Sequence, residues 1–148
     1  MKLSKRGRYA LRALVYLSLN SDKEKTTLSK IAKENDISTK YLEQIFSNLK
    51  RSGIVKSVAG INGGYLLARP STDISVEDVL NAVEGDYKIE DEEISENCMV
   101  KGISKALQRL VIDRINEETG KVIKNVTLRK LADEYSNTDR DADEMYYI

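Results

Sequence analysis

A mainly α-helical fold with one small β-hairpin is what this sequence predicts, and three observations carry the prediction. Residues 28–51 hold two short amphipathic patterns separated by a polar break, Asn35-Asp36-Ile37. Residues 54–69 hold two short runs rich in β-branched and aromatic or aliphatic residues around a glycine-rich turn. Residues 101–124 carry a long apolar stripe at helical spacing that lacks a partner within the chain. In order, these read as a winged helix-turn-helix followed by a long C-terminal helix.

The chain opens on a basic lead-in, Met1-Lys-Leu-Ser-Lys-Arg-Gly-Arg8. From Tyr9 to Leu19 apolar residues occur almost all round the helix, the pattern of a buried central helix. Asn20 to Lys25 is a polar loop, after which Thr26 or Thr27 can cap the first helix of the pair. In the second helix Leu42, Ile45, Phe46 and Leu49 fall at i, i+3, i+4 and i+7. Ser38 stands where an N-cap belongs, and Gly53 suits the left-handed position after the last turn. The plain alternative for this pair is an ordinary αα-hairpin. Ile54–Val58 and Tyr65–Arg69 make the hairpin strands, with Asn62-Gly63 expected to supply the two positive φ angles of a type I′ turn. These glycines do not fit a nucleotide loop, because Gly64 is followed by Tyr65 and a strand rather than by Lys and a helix.

Ser75 and Asp78 match a capping box in form, ahead of the stripe Val76, Val79, Leu80 and Val83 that Gly85 stops. Residues 86–97 are acidic and weakly periodic, hence a loop. The long helix is striped by Ile103, Leu107, Leu110, Val111, Ile115, Val122 and Ile123, the first six of them the residues expected at a dimer interface. Packing back on its own domain is the alternative. A short final helix over Val126–Ala132 and an acidic flexible tail over residues 136–148 complete the chain. In that tail Asp139, Asp141 and Asp143 imitate the start of a calcium loop, but Glu144 occupies the place of its glycine.

The formal net charge of zero hides a division. Residues 1–70 contain 14 Lys and Arg against 5 Asp and Glu, a net of +9. Residues 71–148 contain 10 against 19, a net of −9. A basic half that carries a helix-turn-helix has the electrostatic footprint of a protein that binds double-stranded DNA. The acidic half is expected to face away from phosphate. Three parts result: a winged helix-turn-helix DNA-binding domain over 1–70, then a capped helix, acidic loop and dimerisation helix over 71–135, then the tail. With no histidine and no convincing nucleophile–base pair, an enzyme is rejected. One cysteine rules out an internal disulfide, and no apolar run of about 18 residues appears, so a cytoplasmic protein off the membrane is expected. A winged helix that binds only protein is the remaining rival.

Four stretches together carry a likeness: Met1–Leu14, Ile37–Gln44, Gly53–Val58 with Gly63–Ala68, and Thr127–Leu131. They closely resemble the Rrf-two family of bacterial winged-helix transcriptional regulators, in order and over nearly the whole chain. The resemblance implies a homodimeric regulator, a repressor by preference, on a partly palindromic operator in cysteine, sulfur or iron–sulfur metabolism. Tyr9, Ser38, Lys40, Tyr41, Gln44, Gly60, Gly63 and Gly64 match positions of family DNA contacts. Lys2, Arg6, Arg8, Thr39, Ser47, Asn48, Arg51 and Asn62 complete the candidate DNA-binding set. Where many members have Arg-Gly at the wing entry this chain has Ala59-Gly60, which leaves the operator sequence open.

Cluster-binding members place three cysteines in the loop before the dimer helix. Here only Cys98 remains, matching the last of them, so no cofactor and no metal site is expected. That places the chain with the cluster-free, CymR-like branch, where an enzyme of cysteine synthesis is an implied partner. Cys98 stays a candidate redox residue, although Glu96 and the acidic run beside it work against a reactive thiolate. An iron–sulfur or thiol sensor built on Cys98 is the alternative reading.

Overall fold

A computed structural model describes residues 2–20, 25–61 and 63–146. Helices α1 (Lys5–Leu19), α2 (Leu28–Glu34) and α3 (Thr39–Arg51) lead into strands β1 (Val55–Val58) and β2 (Gly64–Leu67). After α4 (Val76–Val83) come α5 (Lys101–Leu107), a π-helical turn over Gln108–Ile112, α6 (Asp113–Asn125) and α7 (Leu128–Tyr146). Among the described residues none of these helices is long and apolar enough to cross a membrane.

The helix α1 begins earlier than the lead-in reading allows. Ser4 caps it by accepting from the Gly7 amide at 3.1 Å, which puts Lys5, Arg6 and Arg8 on its first turns rather than in an arm. Ala10, Ala13 and Leu14 are fully buried, so α1 is the central helix. Thr27 supplies the cap of α2, accepting from Lys30 N at 3.2 Å. Thr26 instead bridges to Tyr65, adding a third, one-residue strand to the hairpin.

Both helices of the pair end in the same way. After α3, Ile54 N donates to Leu49 O at 2.9 Å and Gly53 N to Lys50 O at 3.1 Å, with Gly53 at φ +74°. After α2, Ile37 N donates to Ala32 O and Asp36 N to Lys33 O, but the left-handed residue is Asp36, at φ 52°. These are two Schellman motifs, one lacking its glycine. Asp36→Gly is therefore expected to stabilise the fold by about 0.5–1 kcal/mol, read as a raised denaturation midpoint with unchanged m. A lower midpoint would show that the Asp36 side chain does more there than tolerate its φ.

In the hairpin Val55 pairs with Leu67 and Val58 with Gly64, antiparallel, leaving residues 59–63 as the connection. The expected type I′ Asn-Gly turn is corrected. The positive φ belongs to Gly60, at +114°, and Gly63 does not share it. Gly63 N donates to Gly60 O at 2.9 Å to close the loop. Asn62 lies outside the described residues. Phe46 of α3 meets Tyr65 of β2 edge-on at 4.9 Å, which fastens the hairpin to the helix pair.

Ile74, Val79 and Leu128 join α1 and α3 in one core, so α4 and α7 close over the central helix. The capping box forms in full, with Ser75 and Asp78 each bonded to the other's backbone amide. The end of the chain is a second correction. Rather than a short helix and a flexible tail from residue 136, α7 runs through Tyr146. Leu128, Leu131, Ala132 and Tyr135 continue an i, i+3, i+4, i+7 pattern, and Arg129 pairs with Asp133 at 2.9 Å one turn on.

Candidate nucleic-acid interface

The recognition candidate is α3, and its two faces are cleanly separated. Leu42, Ile45, Phe46 and Leu49 are fully buried. On the other side Thr39, Lys40, Gln44, Ser47 and Arg51 are exposed, and Asn48 is half-buried. Lys40 and Arg51 lie three turns apart, about 16 Å along the axis, so the row is long enough to follow a major groove. Ser38 is committed at the N-terminus, where its hydroxyl accepts from Tyr41 N at 3.3 Å. Glu43, absent from the candidate set, is exposed on the same helix. A carboxylate there repels phosphate but can accept from cytosine N4.

Tyr9 and Tyr41 meet each other edge-on, with ring centroids 5.8 Å apart and planes at 80°. Lys5 Nζ lies 5.5 Å from the Tyr9 centroid and the Arg12 guanidinium 5.6 Å from it. Arg12 also donates to Asn35 O, the C-cap of α2. This cation–aromatic group ties α1 to both helices of the pair. Sequence reasoning missed Lys5 and Arg12, although their i, i+4, i+7 spacing about Tyr9 was available.

The basic candidates before and on α1 divide. Lys2 and Arg8 are exposed. Arg6 is turned away, donating from Nε to Val83 O at 2.9 Å, so it caps the C-terminus of α4. The wing glycines have internal reasons to lack side chains. A Cβ at Gly64 would stand 2.7 Å from Thr26 O, and one at Gly63 2.6 Å from Val58 O. Close approach to DNA is not needed to explain those two; Gly60 has open space around it.

The acidic loop is held rather than loose. Asn116 of α6 bonds both ways with the Ile89 backbone, accepting from its amide at 2.8 Å and donating to its carbonyl at 2.9 Å. Gln108, in the π turn, accepts from Glu92 N and donates to Asp91 and Asp113. Tyr87 is buried and donates to Glu77 at 2.7 Å. Burial, then that carboxylate, pushes its phenol up to about 12, so it stays a donor at neutral pH. Cys98 is half-buried beyond these anchors.

The stripe of the long helix faces outward. Ile103, Leu110 and Val122 are 68%, 64% and 61% exposed, and Leu107, Val111 and Ile115 are exposed with them. Ile112, Gly120 and Ile123 turn inward instead.

A family model described as Rrf2, iron-dependent transcriptional regulator, matches residues 3–134. The HTH-type transcriptional regulator IscR of Escherichia coli O1:K1 / APEC is 36% identical over 139 residues, 88% of this chain and 80% of that protein. An IscR from Cereibacter sphaeroides is 50% identical over 86 residues, and this match spans 57% of the chain and 56% of that relative. Among solved structures, CymR, the global cysteine regulator of B. subtilis, superposes with a TM-score of 0.77 at 33% identity, covering 90% of this chain and 98% of that one. T. potens IscR superposes with a TM-score of 0.72 at 30% identity, covering 91% and 88%. The iron in the family description meets a poor donor set in this chain. One cysteine and no histidine are available, and among the described residues no group of three His, Cys, Asp or Glu could hold a metal. The cluster's usual thiolate ligands are missing, so the residues present do not fit it. Helix-turn-helix, hairpin and family match converge: the chain belongs to the Rrf2 family of transcriptional regulators.

Proposed function

We propose that this chain is a cytoplasmic, homodimeric DNA-binding repressor that reads a partly palindromic operator through α3, with the hairpin against the flanking backbone. The observation that carries the reading is the row Lys40, Gln44, Ser47, Arg51, held outward over a fully buried apolar face on the basic half of the chain. Lys2, Arg8, Tyr9 and Gly60 extend the contact surface. Selection of duplexes from a random pool tests it: a partly palindromic motif is expected to be enriched. No enrichment would favour a winged helix that binds only protein.

Control of cysteine, sulfur or iron–sulfur metabolism is supported by the likeness to CymR and IscR, and contact with an enzyme of cysteine synthesis by the CymR-like resemblance alone. The signal does not run through a cluster. Protein purified without oxygen is expected to carry no iron and no acid-labile sulfide, and Cys98→Ser to bind the operator as tightly as the parent. One thiolate per chain leaves a cluster short of its usual donors. Stoichiometric iron lost in Cys98→Ser would overturn this. A peroxide response lost in the same variant would make Cys98 a redox switch.

A further inference from the structure

We propose that Glu84 is a positioning residue for DNA recognition: it clamps the first turn of α1 and, through Tyr9, sets the recognition helix. The inference rests on the reading of α3 given above. Three contacts converge on that turn. The Ser4 hydroxyl, which caps α1, donates to the Glu84 carboxylate. Gly7 is buried beneath it, and a Cβ there would collide with Glu84 Oε1 and stand 2.9 Å from Leu80 Cδ2. Arg6 Nε closes the same junction from the other side at Val83 O. Glu84 is thus the C-cap of α4 and sits at the N-terminus of α1, where a carboxylate complements the helix dipole.

The contact to the recognition helix is made one turn further along α1, at Tyr9. Lys5 lies over the Tyr9 ring, and Tyr9 meets Tyr41 in the first turn of α3. Releasing Ser4 and Gly7 from Glu84 lets the first turn of α1 shift, and Tyr41 loses the edge that fixes it. Only contacts needing register suffer. Non-specific attraction to phosphate does not depend on that register.

The test compares operator and random-duplex affinity for the parent, Glu84→Ala and Glu84→Gln. Glutamine removes the charge but keeps an acceptor for Ser4. The expected result is an operator affinity about fivefold to tenfold weaker in Glu84→Ala, random-duplex affinity unchanged, and near-parental behaviour in Glu84→Gln. If Glu84 acts only as a negative charge, both variants bind both duplexes more tightly, and the inference is overturned. Equal loss on both duplexes also overturns it, since that is a folding defect. A second pair covers failure to fold: Gly7→Ala should lose operator preference, and Gly7→Ala with Glu84→Asp should regain part of it by drawing the carboxylate back. No recovery there sinks the clamp. A parent without operator preference refutes the reading of α3 itself, whereas a selective parent with an unaffected Glu84→Ala refutes the clamp alone.

Discussion

Gln44→Ala lowers operator affinity by about fivefold to 150-fold and blurs the preference at one base pair in each half-site. The carboxamide stands exposed on α3 between Lys40 and Ser47–Arg51, clear of the buried face. A glutamine so placed can pair bidentately with adenine N6 and N7, worth about 1–3 kcal/mol of discrimination. The side chain makes no hydrogen bond within the described chain, so truncation should leave the thermal midpoint unchanged. Lys40→Ala behaves differently if its ammonium meets phosphate. All duplexes weaken alike, and the slope of log K against log salt falls by about one. The two variants together separate base reading from backbone contact. Unchanged binding in both would remove α3 from the interface.

Much of this site was legible because caps and stripes are local. Ser38, Thr27, Gly53 and the Ser75–Asp78 box act over three or four residues, and the buried face of α3 repeats within two turns. Local pattern misleads where a longer range decides. Asn62-Gly63 suits a two-residue turn, but the strands stop at Val58 and resume at Gly64, and Tyr65 also bridges to Thr26, 39 residues away in the chain. The acidity of residues 136–146 masked the stripe that carries α7 onward from Leu128. Arg6 looked like a phosphate ligand because nothing local reveals the Val83 carbonyl, 77 residues away in the chain.

The acidic loop was the least legible part. Its own residues show no period, and what holds it is supplied by Asn116 and Gln108 on another element. Polar residues on a long helix ordinarily read as a solvated face. Gly120 is a related case. It weakens a helix on propensity alone, yet here it is buried, and a Cβ would meet only the Tyr87 hydroxyl at 3.8 Å.

Charging the outward stripe is expected to have the largest effect of all. Leu107→Glu with Leu110→Glu should give monomers at micromolar concentration and weaken operator binding by at least about a hundredfold, since two half-sites are no longer engaged together. Both side chains are exposed, so the monomer should keep its fold. The π turn supplies the physical reason that the stripe can serve as one interface. Ile103 and Val122 are 19 residues apart, about 5.3 turns of α-helix, which leaves them roughly 100° out of phase. A π turn delays the helix by about one residue, and 18 residues make about five whole turns. Gln108–Ile112 therefore brings Ile103, Leu107, Ile115 and Val122 onto one line while Ile112 and Ile123 face inward. Deleting Arg109, an exposed residue of that turn, converts π to α and keeps the line, so the deletion variant should remain a dimer. Inserting one alanine after Arg109 should instead rotate the two halves apart and weaken association. Sedimentation of the parent and the variants decides it: a parent already monomeric, or a deletion as damaging as the insertion, would show that this helix does not hold the dimer in this way.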